Sequence, residues 1–228
     1  GDLVNTSQTV RGATALLGRT RLFAVLQKAL RSPEQAAPIA AEQLLPAEVE
    51  ARLDATVGPS DYTRDDLQKQ KVLEHFRYNL ARMVAIARSV GAEVILVGPA
   101  SNLRDCSPFK SEGQAGLALQ DHRRRDNALA QARQLTAENQ PQDALSVLEE
   151  ALRIDPGFAE THYRHAQVLD ALGRPDDAAA AYRQARDEDV CPLRALTSIQ
   201  ELTKTVAESL KVLWVDFAAI AAKRSPAG

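Results

Sequence analysis

The sequence predicts a helix-rich α/β protein: a partial parallel sheet interrupted by an all-helical insertion. Two observations carry this. Short aliphatic runs at residues 94–97 (VILV) and 212–217 (VLWVDF) each follow a helical pattern, which is the order of an α/β unit. Between them, from about residue 121 to 190, small and large residues recur with a 34-residue period. The composition is that of an ordinary globular chain, with 228 residues, 45% hydrophobic and 25% charged.

From the N-terminus, residues 13–31 place Leu16, Leu17, Leu22, Phe23, Leu26 and Leu30 at three- and four-residue spacings, which predicts an amphipathic helix. Residues 32–60 carry Pro33, Pro38, Pro46 and Pro59 and read as a loop with one short helix near 46–54. A long helix is expected over 64–90, capped by Asp61 or Thr63 and ended by Gly91, with Leu67, Val72, Phe76, Leu80, Met83, Val84 and Ile86 as its apolar positions. The unbroken aliphatic run after it predicts a strand buried on both faces. A second helix at about 193–209 leads into the second strand. The expected organisation is 1–120 as a partial α/β region (1–60 irregular and helical, 61–120 helix, strand and loop), 121–190 as the insertion, and 191–228 as the return to α/β.

The periodic pairs are Ala132 and Ala166, Leu135 and Leu169, Ala144 and Ala178, Leu148 and Tyr182, and Ala151 and Ala185. They match the small and large positions of the tetratricopeptide repeat, where small side chains let antiparallel helices approach closely. Gly173 supplies the turn in the second unit; Asn139-Gln140-Pro141 replaces it in the first. Such units present a concave face to a peptide or protein, and here Leu129, Arg133, Tyr163, Gln167 and Asp170 are the candidate groove residues. A spacer or lid is the alternative role.

Other signals narrow the chemistry. A formal net charge of -2 gives no field to attract nucleic acid, and Arg123-Arg124-Arg125 lies between Asp121 and Asp126 without interleaved aromatics. No apolar run is long enough for a membrane span. His75, His122, His162 and His165 form no metal-ligand pattern, and no residue set calls for a cofactor. The start at Gly-Asp rather than Met points to a processed or excised product.

The runs FRYNLARMVAIARSVGAEVILVGPASNLRDCSPFKSE, DEDVCPLRALTSIQ and VLWVDF resemble a bacterial family of SGNH/GDSL-type hydrolase-like proteins with a tetratricopeptide insertion. The resemblance spans about residues 61–218 and implies a flavodoxin-like sheet and ester hydrolysis or acyl transfer by a serine nucleophile. None of that family's three catalytic blocks is in this sequence, so no catalytic residue is assigned. The resemblance and the polar loop after the first strand place Asn102, Arg104 and Asp105, with Arg194, at a pocket mouth. Asn102 or Asp105 bonding to local amides is the alternative. Cys106 and Cys191 bracket the insertion: either they meet in a disulfide, which implies an oxidising compartment, or they are separate thiols. The function expected of the chain is a non-catalytic protein-interaction module. Its partner is a protein or peptide, the chain's own missing N-terminal portion or a second copy. The alternative is an SGNH-type esterase whose Ser and His lie outside it.

Overall fold

The structure is a computed structural model, and residues 62–224 are described. They all fall in the second of the chain's two compact units, Val57–Gly228. The helices expected at 13–31 and 46–54 lie outside the described residues.

The long helix forms as α1, Asp66–Ser89. Its cap is Asp65 rather than Asp61 or Thr63: the Asp65 carboxylate accepts the Gln68 N–H at 2.8 Å, satisfying one of the donors a helix start leaves open. Gly91 follows at φ +78°, a left-handed turn that ends the helix without a Cβ clash. Strand β1, Ile95–Gly98, comes next.

The insertion builds four helices: α2, Leu119–Ala137, α3, Pro141–Ile154, α4, Ala159–Ala171, and α5, Pro175–Asp187. Its core holds Ala132, Ala144, Ala151, Ala166, Ala178 and Ala185, with Leu129, Leu148, Leu169, Tyr163 and Tyr182 filling the space between helices. All five periodic pairs are placed as the repeat requires. The degenerate turn is a true counterpart of the glycine turn: Asn139 adopts φ +57° where Gly173 adopts φ +71°. In each, the residue after the turn donates to the carbonyl five residues back, Gln140 N–H to Leu135 O at 2.8 Å and Arg174 N–H to Leu169 O at 2.9 Å. Pro141 and Pro175 then occupy the first helical turn, where a missing N–H costs nothing.

The chain returns through α6, Thr197–Ser209, β2, Leu213–Asp216, and α7, Phe217–Arg224. Strands β1 and β2 pair in parallel, with Ile95 opposite Leu213, Val97 opposite Val215 and Gly98 opposite Asp216. One sheet face packs on α1 and α6 through Leu96, Trp214, Val84, Ala207 and Val212. A Cβ at Gly98 would come within 2.7 Å of the Trp214 ring, so the indole lies directly on the glycine.

The expectation of strands buried on both faces is corrected. Ile95, Val97 and Leu213 are 57%, 50% and 61% exposed, because the described residues cover only one side of the pair. Continuous aliphatic sequence reports the chemistry of both faces, and here one of them is open. Among the described residues the sheet has two strands, so the flavodoxin-like sheet is not seen. None of the described helices is long and apolar enough to cross a membrane.

Candidate interaction groove

The repeat's inner face is set by α4. Tyr163 and Asp170 stand seven residues apart, two turns on one side of the helix, and Tyr182 of α5 leans against Tyr163 edge-on with ring centroids 5.4 Å apart. The three side chains converge on a residue from the loop after β1. Arg104 donates to both Asp170 oxygens, from Nε at 2.9 Å and Nη2 at 2.7 Å, a fork that matches the carboxylate plane. The Tyr182 hydroxyl donates to the same carboxylate at 3.0 Å, and the Tyr163 hydroxyl donates to the Arg104 carbonyl at 2.7 Å. These contacts move acidities in the expected directions. The hydrogen bond to Asp170 raises the Arg104 pKa, and burial raises both phenols, Tyr182 further through its bond to Asp170.

The loop continues along the repeat as a strap. Leu103 packs against the insertion's core. The Ser111 hydroxyl accepts the Glu160 N–H at 2.8 Å, capping α4, whose own N-cap residue Phe158 offers no polar side chain. Two aspartates at equivalent positions of the two units then grip the strap's backbone. Asp189, nearly buried, accepts from Phe109 N at 2.7 Å, Lys110 N at 3.0 Å and Cys191 N at 3.0 Å. Asp155, wholly buried, accepts from Gln114 N and Gly157 N, each at 3.3 Å, and from Arg125 Nη1 at 2.6 Å. Each aspartate thus holds the amide two residues ahead of itself and one or two amides of the strap. The sequence carries this signal in Asp155 and Asp189, spaced by the 34-residue period. Among the periodic pairs named above it is absent because an acidic residue is not a packing position.

Arg64 seals the far end. It donates to Glu188 at 3.0 Å and to the Gly157 carbonyl at 2.6 Å, while its own N–H donates to the Glu112 carboxylate. Arg194 seals the near end by donating to the carbonyls of Asn102 at 3.1 Å, Cys106 at 2.7 Å and Ser107 at 3.3 Å. Beside α1 and residues 187–199 lies a cavity of about 420 Å³, lined by Lys69, Val72, Leu73, Val190, Leu196 and Arg194 among others.

The sequence-derived candidates therefore fall into separate places. Of the four pocket-mouth residues, only Arg194 lines this cavity. Asn102 and Asp105 bond each other: the Asn102 side chain accepts the Asp105 N–H at 3.0 Å and its amide donates to the Asp105 carboxylate at 2.9 Å, a local turn. Arg104 points into the repeat. Among the groove residues, Tyr163 and Asp170 are brought together. Arg133 is exposed and paired with Glu160 at 2.6 Å, and Gln167 is exposed and accepts from Arg164. Leu129 is corrected: it is 4% exposed and packs into the same core as Ala132, Leu148 and Ala166 instead of facing a partner. The three-arginine run is no patch, since Arg125 is buried on Asp155 and stacked 3.8 Å over Phe158, while Arg124 pairs with Asp121 and Glu150. Cys106 and Cys191 are both free, the first exposed and the second buried, and burial raises the Cys191 thiol pKa. No group of metal-binding side chains is found among the described residues.

Two register-matched helical hairpins with small residues at every close approach define a helical-repeat module. Residues 135–192 match the family model of the tetratricopeptide repeat. No curated protein and no solved structure matches the chain.

Proposed function

We propose that the chain is a non-catalytic protein-interaction module whose working part is the tetratricopeptide pair. The observation that carries this is the occupied face: the Tyr163–Asp170–Tyr182 cluster and the two period-related aspartates hold the loop after β1 through both side-chain and backbone contacts. A surface that holds one segment in this way has the chemistry to hold another. Arg133 and Gln167 remain exposed on the same repeat and offer the partner a polar rim. The test is affinity capture with wild type against Arg133→Glu, folding being checked by circular dichroism. Partners lost on charge reversal support the reading; an unchanged partner set from a folded variant refutes it.

A second reading places this module within an SGNH-type hydrolase. It is favoured by the parallel pairing of β1 and β2, by the α6 crossover between repeat and strand, and by the open apolar face of Ile95, Val97 and Leu213, since parallel sheets are normally covered on both sides. In that reading the nucleophilic serine and the histidine come from outside this sequence, which contributes sheet strands and strand-end loops. Hydrolysis of a short acyl ester by the complete protein tests it, and no turnover across a panel of acyl esters counts against it.

A further inference from the structure

Arg104 and its pocket have the makings of a recognition site already filled. The Asp170 carboxylate meets the Nε/Nη2 edge of a planar guanidinium through two parallel bonds, a geometry that a lysine ammonium cannot reproduce. The Tyr163 hydroxyl fixes the carbonyl of the same residue, so side chain and backbone are read together. Leu103, one residue earlier, enters the apolar core of the repeat. Further along, the contacts from Asp189 and Asp155 go to backbone amides and are indifferent to side-chain identity. Asp105, Cys106, Ser107 and Phe109 are exposed, so nothing selects them. The side-chain requirement is thus concentrated in an aliphatic residue followed by arginine, carried on the Asn102–Asp105 turn, with the Ser111 hydroxyl adding one contact further along.

We propose that Asp170, Tyr163 and Tyr182 form an arginine-reading site for peptides, closed in cis by the chain's own residues 103–114. The partner is a peptide carrying an aliphatic residue followed by arginine. Asp170 supplies the complementary charge, and emptying the site would leave that half-buried carboxylate without its cation. A tethered strap competes at an effective concentration in the millimolar range, so an outside peptide enters only when the strap is weakened or outcompeted. The site thereby gates the interaction function proposed above, on which this inference rests.

The experiment uses the full chain and a fluorescein-labelled peptide with the sequence of residues 100–115, its Cys106 replaced by serine. Binding is read by anisotropy on wild type and on a Leu103→Ala/Arg104→Ala chain whose circular dichroism matches wild type. The expected result is saturable binding at least about tenfold tighter to the opened chain. Replacing the peptide's arginine by lysine should cost at least about tenfold, and Asp170→Asn in the opened chain should erase that arginine preference. Equal binding by wild type and the opened chain overturns the closure. Equal binding of arginine and lysine peptides, or none to a folded opened chain, overturns the site. If the double variant does not fold, Arg104→Lys alone opens the chain and the same outcomes apply. The Arg133→Glu capture experiment reads a different surface residue, so loss of partners there with no arginine preference here would leave the module standing and remove only this site.

Discussion

Replacing Asp155 by alanine should be among the most damaging single changes in the described part of the chain. Its carboxylate is 0% exposed and Arg125 is 5% exposed, so neither charge has water to fall back on. The carboxylate accepts the Arg125 guanidinium at 2.6 Å and two backbone amides, and the guanidinium also stacks on Phe158. Removing one member of a buried pair costs about 3–5 kcal/mol, chiefly because the other charge stays buried without its counterpart. Arg125 retains Asp126, whose side chain is largely exposed, which places the expected loss toward the lower end. About 3 kcal/mol is two powers of ten in the folding equilibrium, a large share of a typical domain's stability. Urea unfolding followed by far-ultraviolet circular dichroism measures it as a fall in the midpoint at unchanged slope. The paired replacement Arg125→Met/Asp155→Leu should recover the part of the loss that comes from the stranded guanidinium, while the Gln114 and Gly157 amides stay without their acceptor. A single-variant loss under about 1 kcal/mol, or a double variant no better than the single, refutes the reasoning.

Three further outcomes follow from other sites. Cys106 should react with a thiol reagent in the folded protein and Cys191 only after unfolding, giving two thiols in denaturant; no reactive thiol in denaturant would show a disulfide instead. Asn139→Ala should destabilise by about 1 kcal/mol and Asn139→Gly should not, because the residue sits at φ +57°; equal effects in thermal melts would contradict this. Burial lowers the His165 pKa, so the folded state binds its proton less readily than the unfolded chain does. Stability from the neutral ring is therefore full above the ordinary histidine pKa of about 6.5 and is lost as pH falls from there toward the depressed folded value. His165→Gln should flatten that part of the stability–pH curve, and an unchanged curve would remove the assignment.

The helical insertion was legible because its rules are about size at fixed spacing. Ala132, Ala166, Ala144 and Ala178 had to be small wherever they stood in space, and the period announces them. The turn at Asn139 was harder, yet asparagine is the residue besides glycine that accepts a left-handed backbone most readily. The strap was not legible. Leu103, Arg104 and Ser111 sit in a loop whose local chemistry reads equally well as a pocket mouth, and their partners lie 49 to 66 residues away. Asn102 and Asp105 did follow local rules and made the local turn. Leu129 was misplaced because periodicity tells which face of a helix is apolar, not whether that face meets a partner or a neighbouring helix. The open side of the sheet was hidden for a related reason, since VILV carries no polar residue to mark the exposed face.

Strands β1 and β2 are neighbours in the sheet yet the whole helical insertion separates them in sequence. Contacts within the insertion are mainly between adjacent helices, while the strand pairing is a long-range event. Once the hairpins exist they act as a short rigid bridge, and Arg194 reaching back to the carbonyls of residues 102, 106 and 107 draws the two ends of that bridge together. Because closure cost grows only logarithmically, by about 0.6 kcal/mol per doubling of loop length, so large an insertion burdens the sheet very little thermodynamically. Local contacts of this kind should form before the strand pairing, an order that hydrogen exchange pulse-labelling during refolding would read directly.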